Sequence, residues 1–280
     1  MTRGHGERRR RTAANAAVFF RIFVSACLGA LSSSAWASDK KGVGVWEPHA
    51  REHLAQLHVA WYYTWSPRPV EGVSEPFVPM IWGGAKLEAQ LNALPRRELI
   101  PVVLAINEPD ERKQANMSVQ QVARIWPRLS RLVDRISSPA TEHARGPWID
   151  RFLRVARRRH FKLSFMAVHL YSGTDPRQFL ARLDAVHRRY RMPIWLTEFG
   201  VADWDTAPWI RKSTVNRYNE DSVLQFMKEV LPELEKRPYV MRYAWFGAGD
   251  GIAEELRTSR LFEKDGTLTP LGRYYADFQN

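Results

Sequence analysis

The chain has 280 residues, 45% hydrophobic and 12% aromatic. That composition builds a sizeable core and excludes a disordered or peptide-scale protein. A single cysteine excludes a disulfide framework and a cysteine-only metal cluster, and the net charge of +12 raises the question of an anionic partner.

Residues 1–37 read as a signal peptide. Arg8, Arg9, Arg10 and Arg11 form a basic block, Ile22–Leu31 an apolar run, and Ala35, Trp36 and Ala37 a small-x-small end. That order is the layout of an export leader, with the protein periplasmic or extracellular. The run is too short for a comfortable transmembrane helix, and no later segment reaches about 18 apolar residues, so no membrane span is expected. Val24–Cys27 also resembles a lipobox, which would leave a lipid anchor on Cys27. The leader carries six Arg and Glu7, so residues 38–280 hold 36 basic and 29 acidic groups, a net of +7, and no cysteine. An exported chain without disulfides is consistent with that. The residual excess, as in Arg154 and Arg157–Arg159, reads as a solvated helix face. No zinc-finger, RNP or helix-turn-helix signature supports nucleic acid.

Eight strand-like runs follow in order: Lys41–Trp46, His58–Trp65, Phe77–Gly83, Leu99–Asn107, Val133–Ser138, Leu163–Tyr171, Pro193–Gly200 and Tyr239–Gly247. They are short and almost continuously apolar, as strands of a parallel sheet buried on both faces are. Helical periodicity fills most gaps. Ser118 and Gln121 form a capping box. Val122, Ile125, Trp126, Leu129, Leu132 and Val133 then recur at helical spacing, with Pro127 expected to kink or divide the helix. Further stripes start at Ile149, Phe179 and Val223, the last closed by Pro238. Asp265-Gly266 marks a turn before a final stripe from Leu271 to Phe278. Eight strand–helix units in residues 38–280 match a single α/β domain, a (β/α)₈ TIM barrel, whose usual length is about 250 residues. A doubly wound sheet is disfavoured because no G-x-G-x-x-G follows a strand; Gly42 and Gly44 lack the third glycine.

Barrel chemistry projects from the C-terminal ends of strands. Glu108 ends the fourth run and Glu198 the seventh. Each is delivered by an apolar strand to a partly dry cleft, where desolvation and mutual repulsion separate their proton affinities. One acid and one anion are what glycoside hydrolysis requires.

Asn107-Glu108-Pro109 and Thr197-Glu198-Phe199 resemble the two signatures of the retaining (β/α)₈ glycosidases. With Trp61–Trp65, Phe77–Gly83, Gln114–Ser118, Ser138–Ala140, Ala167–His169 with Tyr171, Pro193–Phe199, Arg242–Phe246 and Leu268–Gly272, the chain resembles glycoside hydrolase family 128, the alkali-sensitive-linkage-like β-1,3-glucanases, from about Lys41 to Tyr275. The resemblance implies an endo-β-1,3-glucanase-like enzyme with a β-glucan polysaccharide or oligosaccharide as its partner, no cofactor and no metal. It implies Glu108 as acid/base, Glu198 as nucleophile, Asn107 on the sugar 2-hydroxyl, and His169 and Tyr171 orienting Glu198. Thr64 and Leu170 depart from the family pattern near the expected cleft. Flat amphipathic rings cover the apolar faces of sugars. Trp65, Trp82, Trp204 and Trp245 are therefore expected in the cleft, and Trp61 and Trp195 in the core. No motif implies a partner subunit, and a monomer is expected.

Three other readings arise. His49-x-x-Glu52-His53 matches a zinc-peptidase pattern, although no third ligand presents itself. A barrel that binds glucan or cell wall without cutting it would share every aromatic residue. A hydrolase of another β-linked polysaccharide would share both glutamates.

Overall fold

A computed structural model describes Met1 and residues 38–46, 48–95, 101–249 and 251–279. The leader reading and the lipobox at Cys27 lie outside the described residues. Ala35–Asn280 form one compact unit.

Eight strands occur where the apolar runs predict them: β1 (Lys41–Val45), β2 (Trp61–Tyr63), β3 (Met80–Ile81), β4 (Val102–Ala105), β5 (Arg135–Ile136), β6 (Met166–Ser172), β7 (Ile194–Val201) and β8 (Val240–Ala248). All pair in parallel. One sheet runs β2-β1-β8-β7-β6 and the other β3-β4-β5. Parallel bridges between Tyr62 and Phe77 and between Ser137 and Phe165 join the two sheets, which closes the ring in chain order.

Successive side chains of a strand face opposite sides. One set fills the barrel: Trp61, Tyr63, Met80, Leu104, Phe165, Trp195 and Ala244 form a cluster of their own. Phe165 stacks on Trp195 at 4.2 Å, and Trp61 lies 5.3 Å from the same indole. The other set, including Val43, Val103, Val168, Leu196 and Trp245, meets the helices in a second, larger core. Each fully buried large apolar side chain contributes about 1.5–3 kcal/mol relative to exposure. Gly42 and Gly44 of β1 find their use here. A Cβ on Gly42 would stand 2.1 Å from the Trp61 indole, and one on Gly44 would stand 2.4 Å from Trp65.

The helices are α1 (Ala50–Leu57), α2 (Leu87–Asn92), α3 (Val119–Arg131), α4 (Pro147–Arg158), α5 (Pro176–Tyr190), α6 (Glu220–Lys236) and α7 (Pro270–Asp277). The Ser118 capping box forms as predicted. Asp175 caps α5 with Pro176 in its first turn, and Thr269 does the same for α7 with Pro270. Gly266 takes φ +81° in the turn between Phe262 and Leu268, which bridge in antiparallel fashion.

One expectation is narrowed and one corrected. Of the kink or division expected at Pro127, division does not occur, and helix α3 continues for another turn to Arg131. Proline forfeits one ladder bond, and the apolar face holds the helix through it, with Trp126 and Leu129 both buried. No helix follows β2 either. The connection from Thr64 to Pro79 carries Pro67, Pro69 and Pro76, which remove helical donors, and it is not helical. Among the described residues no helix is long and apolar enough to cross a membrane.

Candidate active site

The C-terminal ends of the strands open into a cleft of about 780 Å³. Glu108 and Glu198 both line it, with Asn107, His169, Tyr171, Trp65, Trp82 and Trp204.

Glu198 comes from β7 and His169 from β6. They are register partners, and the β6–β7 ladder shifts between Val168 and His169 while the β7–β8 ladder shifts between Leu196 and Phe199. Such irregularities turn side chains off the regular alternation next to active sites. Glu108 follows β4 in a bent segment. Ile106 and Glu108 have φ of 60° and 41°, and Trp65, across the cleft, has 50°. Non-glycine residues in that region cost about 1–3 kcal/mol each and persist only where surrounding contacts impose them. Those contacts are present. Asn107 N–H donates to Trp82 O at 2.8 Å, Glu108 N–H to Ala140 O at 2.7 Å, and Ala115 N–H to Asn107 O at 3.2 Å.

The two carboxylates meet around one imidazole. His169 Nδ1 is 2.7 Å from Glu108 Oε1, and its Nε2 is 3.4 Å from Glu198 Oε1. Trp65 Nε1–H donates to Glu198 Oε1 and Tyr171 O–H to Glu198 Oε2, each at 2.7 Å. Below them Tyr63 O–H donates to Thr197 O at 2.8 Å. Burial pushes the Glu198 carboxyl above its ordinary range. The charge of His169 and the donors Tyr171 and Trp65 oppose that push, and Glu108 adds to it. Burial alone would lower the His169 imidazole, but the charge of Glu198 and the bond to Glu108 outweigh it and hold it above its usual value. The Tyr171 hydroxyl, buried beside Glu198, is raised well above the normal phenol range and stays a donor.

Asn107 is buried and donates from Nδ2 to Gln114 Oε1 at 3.3 Å. Its Oδ1 has no hydrogen-bond partner among the described residues. Trp204 is 41% exposed and meets Tyr171 edge-on, with ring centroids 6.0 Å apart. Trp82 and Trp65 are half-buried along the cleft wall.

Trp245 is a correction. It is fully buried against Phe199 and Phe226 on the helix side of β8, and its Nε1–H donates to Ser259 O at 2.8 Å. Strand alternation gives the cleft to its neighbour instead. Phe246 lines the cleft and stacks on Trp46, with centroids 5.6 Å apart. Both Phe246 and Trp46 were missed, although a strict period of two along Ala244-Trp245-Phe246 carries the signal. Gln114, Glu142 and Arg182 also line the cleft. They come from loops and a helix, where no periodicity marks them. Of the two departures from the family pattern, Leu170 is buried in the strand–helix core, and Thr64 O–H donates to Arg68 O at 2.9 Å.

Among the described residues, the one group of three His, Cys, Asp or Glu side chains close enough to share a metal is Glu108, His169 and Glu198, with ligand atoms within 4.8 Å of one another. The His169 Nδ1 in that group already bonds Glu108. His53, from the zinc-like pattern, is buried and stacks on Phe262 at 3.9 Å, far along the chain in the final hairpin. That contact gives the histidine a packing role.

Residues 42–275 match the family described as glycosyl hydrolase catalytic core. The chain is 25% identical over 259 residues to alkali-sensitive linkage protein 1 of Schizosaccharomyces pombe, covering 85% of this chain and 44% of that protein. It thus spans less than half of that relative's length. Among solved structures, it is similar to a GH128 subgroup I endo-β-1,3-glucanase of Amycolatopsis mediterranei in complex with laminarihexaose. The identity is 30%, with 85% of this chain and 99% of that chain covered and a TM-score of 0.70. A GH128 subgroup III curdlan-specific exo-β-1,3-glucanase of Blastomyces gilchristii, bound to glucose, shares 26% identity over 87% of this chain and all of that one, at a TM-score of 0.65.

Proposed function

Given that this chain belongs to glycoside hydrolase family 128, we propose that it cleaves β-1,3-glucan with retention of anomeric configuration, using Glu108 as acid/base and Glu198 as nucleophile. The observation that carries the reading is the closeness of the two carboxylates, with oxygens within 4.8 Å of each other across His169. Retaining enzymes hold their carboxyl groups about 5–5.5 Å apart, whereas inverting enzymes need about 6.5–9.5 Å to admit a water.

In the first step Glu108 gives its proton to the glycosidic oxygen while Glu198 attacks the anomeric carbon. The C–O bond breaks, the leaving chain departs as an alcohol, and a glycosyl ester forms on Glu198. In the second step Glu108, now a carboxylate, takes a proton from water, and the resulting nucleophile displaces Glu198. Trp65 and Tyr171 place one donor on each oxygen of Glu198. They hold its lone pairs in fixed directions and favour the anion that burial disfavours. The free Oδ1 of Asn107 is a ready acceptor for a sugar 2-hydroxyl. Trp46, Trp65, Trp82, Trp204 and Phe246 supply aromatic faces for the apolar sides of glucose rings. The leader reading goes with an exported enzyme that meets its glucan outside the cytoplasm.

The test is reducing-sugar release from linear β-1,3-glucan by the wild type beside Glu108→Gln and Glu198→Gln, with the anomer of the first product followed by NMR. The proposal expects release with a β-anomer first, and a loss of at least ~10²-fold in each variant. An α-anomer first would overturn the retaining mechanism. Binding without release would identify a glucan-binding barrel, and release only from another β-linked polymer would overturn the substrate.

A further inference from the structure

The positive charge of this chain is segregated. Residues 119–191, which hold helices α3, α4 and α5, carry fifteen Arg and Lys162 against five carboxylates. The rest of residues 38–280 carries 20 basic and 24 acidic groups. One sector of the barrel wall is therefore strongly cationic and the remainder mildly acidic. The cleft is of mixed charge, with Glu108, Glu111, Glu142, Glu198 and Glu255 along it beside Lys113 and Arg182.

Among the described residues, four of the five carboxylates of the sector make no ion pair with the arginines of α4. Asp150 is taken by Arg189 and Tyr190, which tie α5 to α4. Asp184 bonds Arg237 and Tyr239. Asp175 caps α5, and Glu142 faces the cleft. Arg151, Arg154, Arg157 and Arg158 are exposed along α4 and make no ion pair among the described residues. They border two grooves. One, of about 620 Å³, runs between α4 and the start of α3 and is edged by Arg151, Arg154 and Arg158 over Trp148. The other, of about 590 Å³, lies toward α5 and is edged by Arg154, Arg157 and Arg189 over Phe161. The first groove also reaches Pro109 and Asp110, immediately after Glu108, so it begins beside the cleft.

We propose that the α3–α5 wall is a docking surface for an acidic polysaccharide, a linear polymer with repeated carboxylate or other oxyanion groups, which holds the enzyme where neutral glucan lies within such a matrix. The inference rests on the glucanase reading only for that purpose; the surface stands on its own charge and shape. Guanidinium forks match carboxylate and oxyanion geometry. A flexible chain can follow two grooves on either side of α4, whereas a flat bilayer touches only a strip of a curved wall. None of the exposed large hydrophobic residues among those described lies on α3, α4 or α5, so the wall offers no apolar wedge for lipid. It also presents no exposed aromatic platform for stacking single-stranded bases. The two grooves share no lining residue with the cleft, so docking and catalysis do not compete for one site.

The test uses the full chain and polygalacturonate as the probe, with affinity read by electrophoretic retardation at about 0.05 M and about 0.2 M salt. One variant carries Arg151→Gln, Arg154→Gln, Arg157→Gln and Arg158→Gln. A charge-matched control carries Arg68→Gln, Arg257→Gln, Lys264→Gln and Arg273→Gln. Thermal melting shows that each variant is folded, independently of any hydrolytic activity. The expected result is salt-sensitive binding by the wild type and the control, and binding at least about ten-fold weaker in the α4 variant. Replacing the same four arginines with Lys, which keeps the charge, should restore most of it. Equal binding by the α4 variant and the wild type would overturn the proposal. So would tighter wild-type binding to phosphatidylglycerol vesicles or duplex DNA than to polygalacturonate.

Discussion

His169 Nδ1 lies 2.7 Å from Glu108 Oε1, so the short hydrogen bond of this buried imidazole goes to the proposed acid/base, and its contact with Glu198, at 3.4 Å, is the longer one. The imidazole spans both carboxylates. A charge on the imidazole favours the Glu198 anion, which burial disfavours.

Replacing His169 with Gln should therefore move a pH profile and not only a rate. Without the imidazolium, Glu198 holds its proton to higher pH. The acid limb of kcat/KM, which reports the anion needed for attack, should shift to higher pH. Measuring kcat/KM for a soluble β-1,3-gluco-oligosaccharide across pH checks this. A uniform loss with the limb unmoved would reduce His169 to packing.

Trp65→Phe and Tyr171→Phe each remove one donor from Glu198 and keep the ring. A hydrogen bond to a charged group is worth about 1.5–3 kcal/mol, so kcat/KM should fall roughly 10- to 100-fold in each. Gly44→Ala should resemble Trp65→Phe, because its new Cβ would collide with the Trp65 indole. Parallel steady-state kinetics on the three variants test the shared cause.

Trp245 and Phe246, neighbours on β8, should separate cleanly. Trp245→Ala should lower the free energy of unfolding by about 3–5 kcal/mol, through a large cavity and an orphaned Ser259 carbonyl, with KM little changed in the folded fraction. Phe246→Ala should raise KM while the melting temperature moves less. Denaturant unfolding alongside KM would show the split, and the reverse pattern would contradict the assignment of the two faces.

Glu198→Gln should stabilise the fold, and more so at higher pH. The folded pKa of Glu198 is raised, so between the unfolded and folded values the native state binds more protons than the unfolded state, and stability falls as pH rises through that window. The neutral amide escapes the penalty: its oxygen can accept from Trp65 Nε1–H while its NH2 donates to the Tyr171 hydroxyl oxygen. Melting temperatures of the wild type and the variant should diverge from pH 4 toward pH 8. Parallel curves would mean that burial of this carboxyl costs little.

The barrel itself was legible in the chain. Eight apolar runs, the Ser118 capping box and the Asp265-Gly266 turn are local patterns, and local patterns survive into the structure because backbone periodicity decides which face is buried. Glu108 and Glu198 were legible too, since each stands where an apolar strand ends. Other features depend on more than one strand. Alternation along β8 puts Trp245 and Phe246 on opposite sides, but closure of the barrel decides which side is the cleft. Gly42 and Gly44 carry no signal until Trp61 and Trp65 are brought against them. The partner of His169 is set by shifts in the ladders flanking β7, which displace its neighbours from the regular alternation. The composition likewise shows an excess of arginine, but only the order of α3, α4 and α5 around the wall turns that excess into one cationic face. Sequence alone thus determined which residues are apolar, acidic or capping. Tertiary structure decided which of them meet, because distances between strands are fixed by packing and register and not by spacing along the chain.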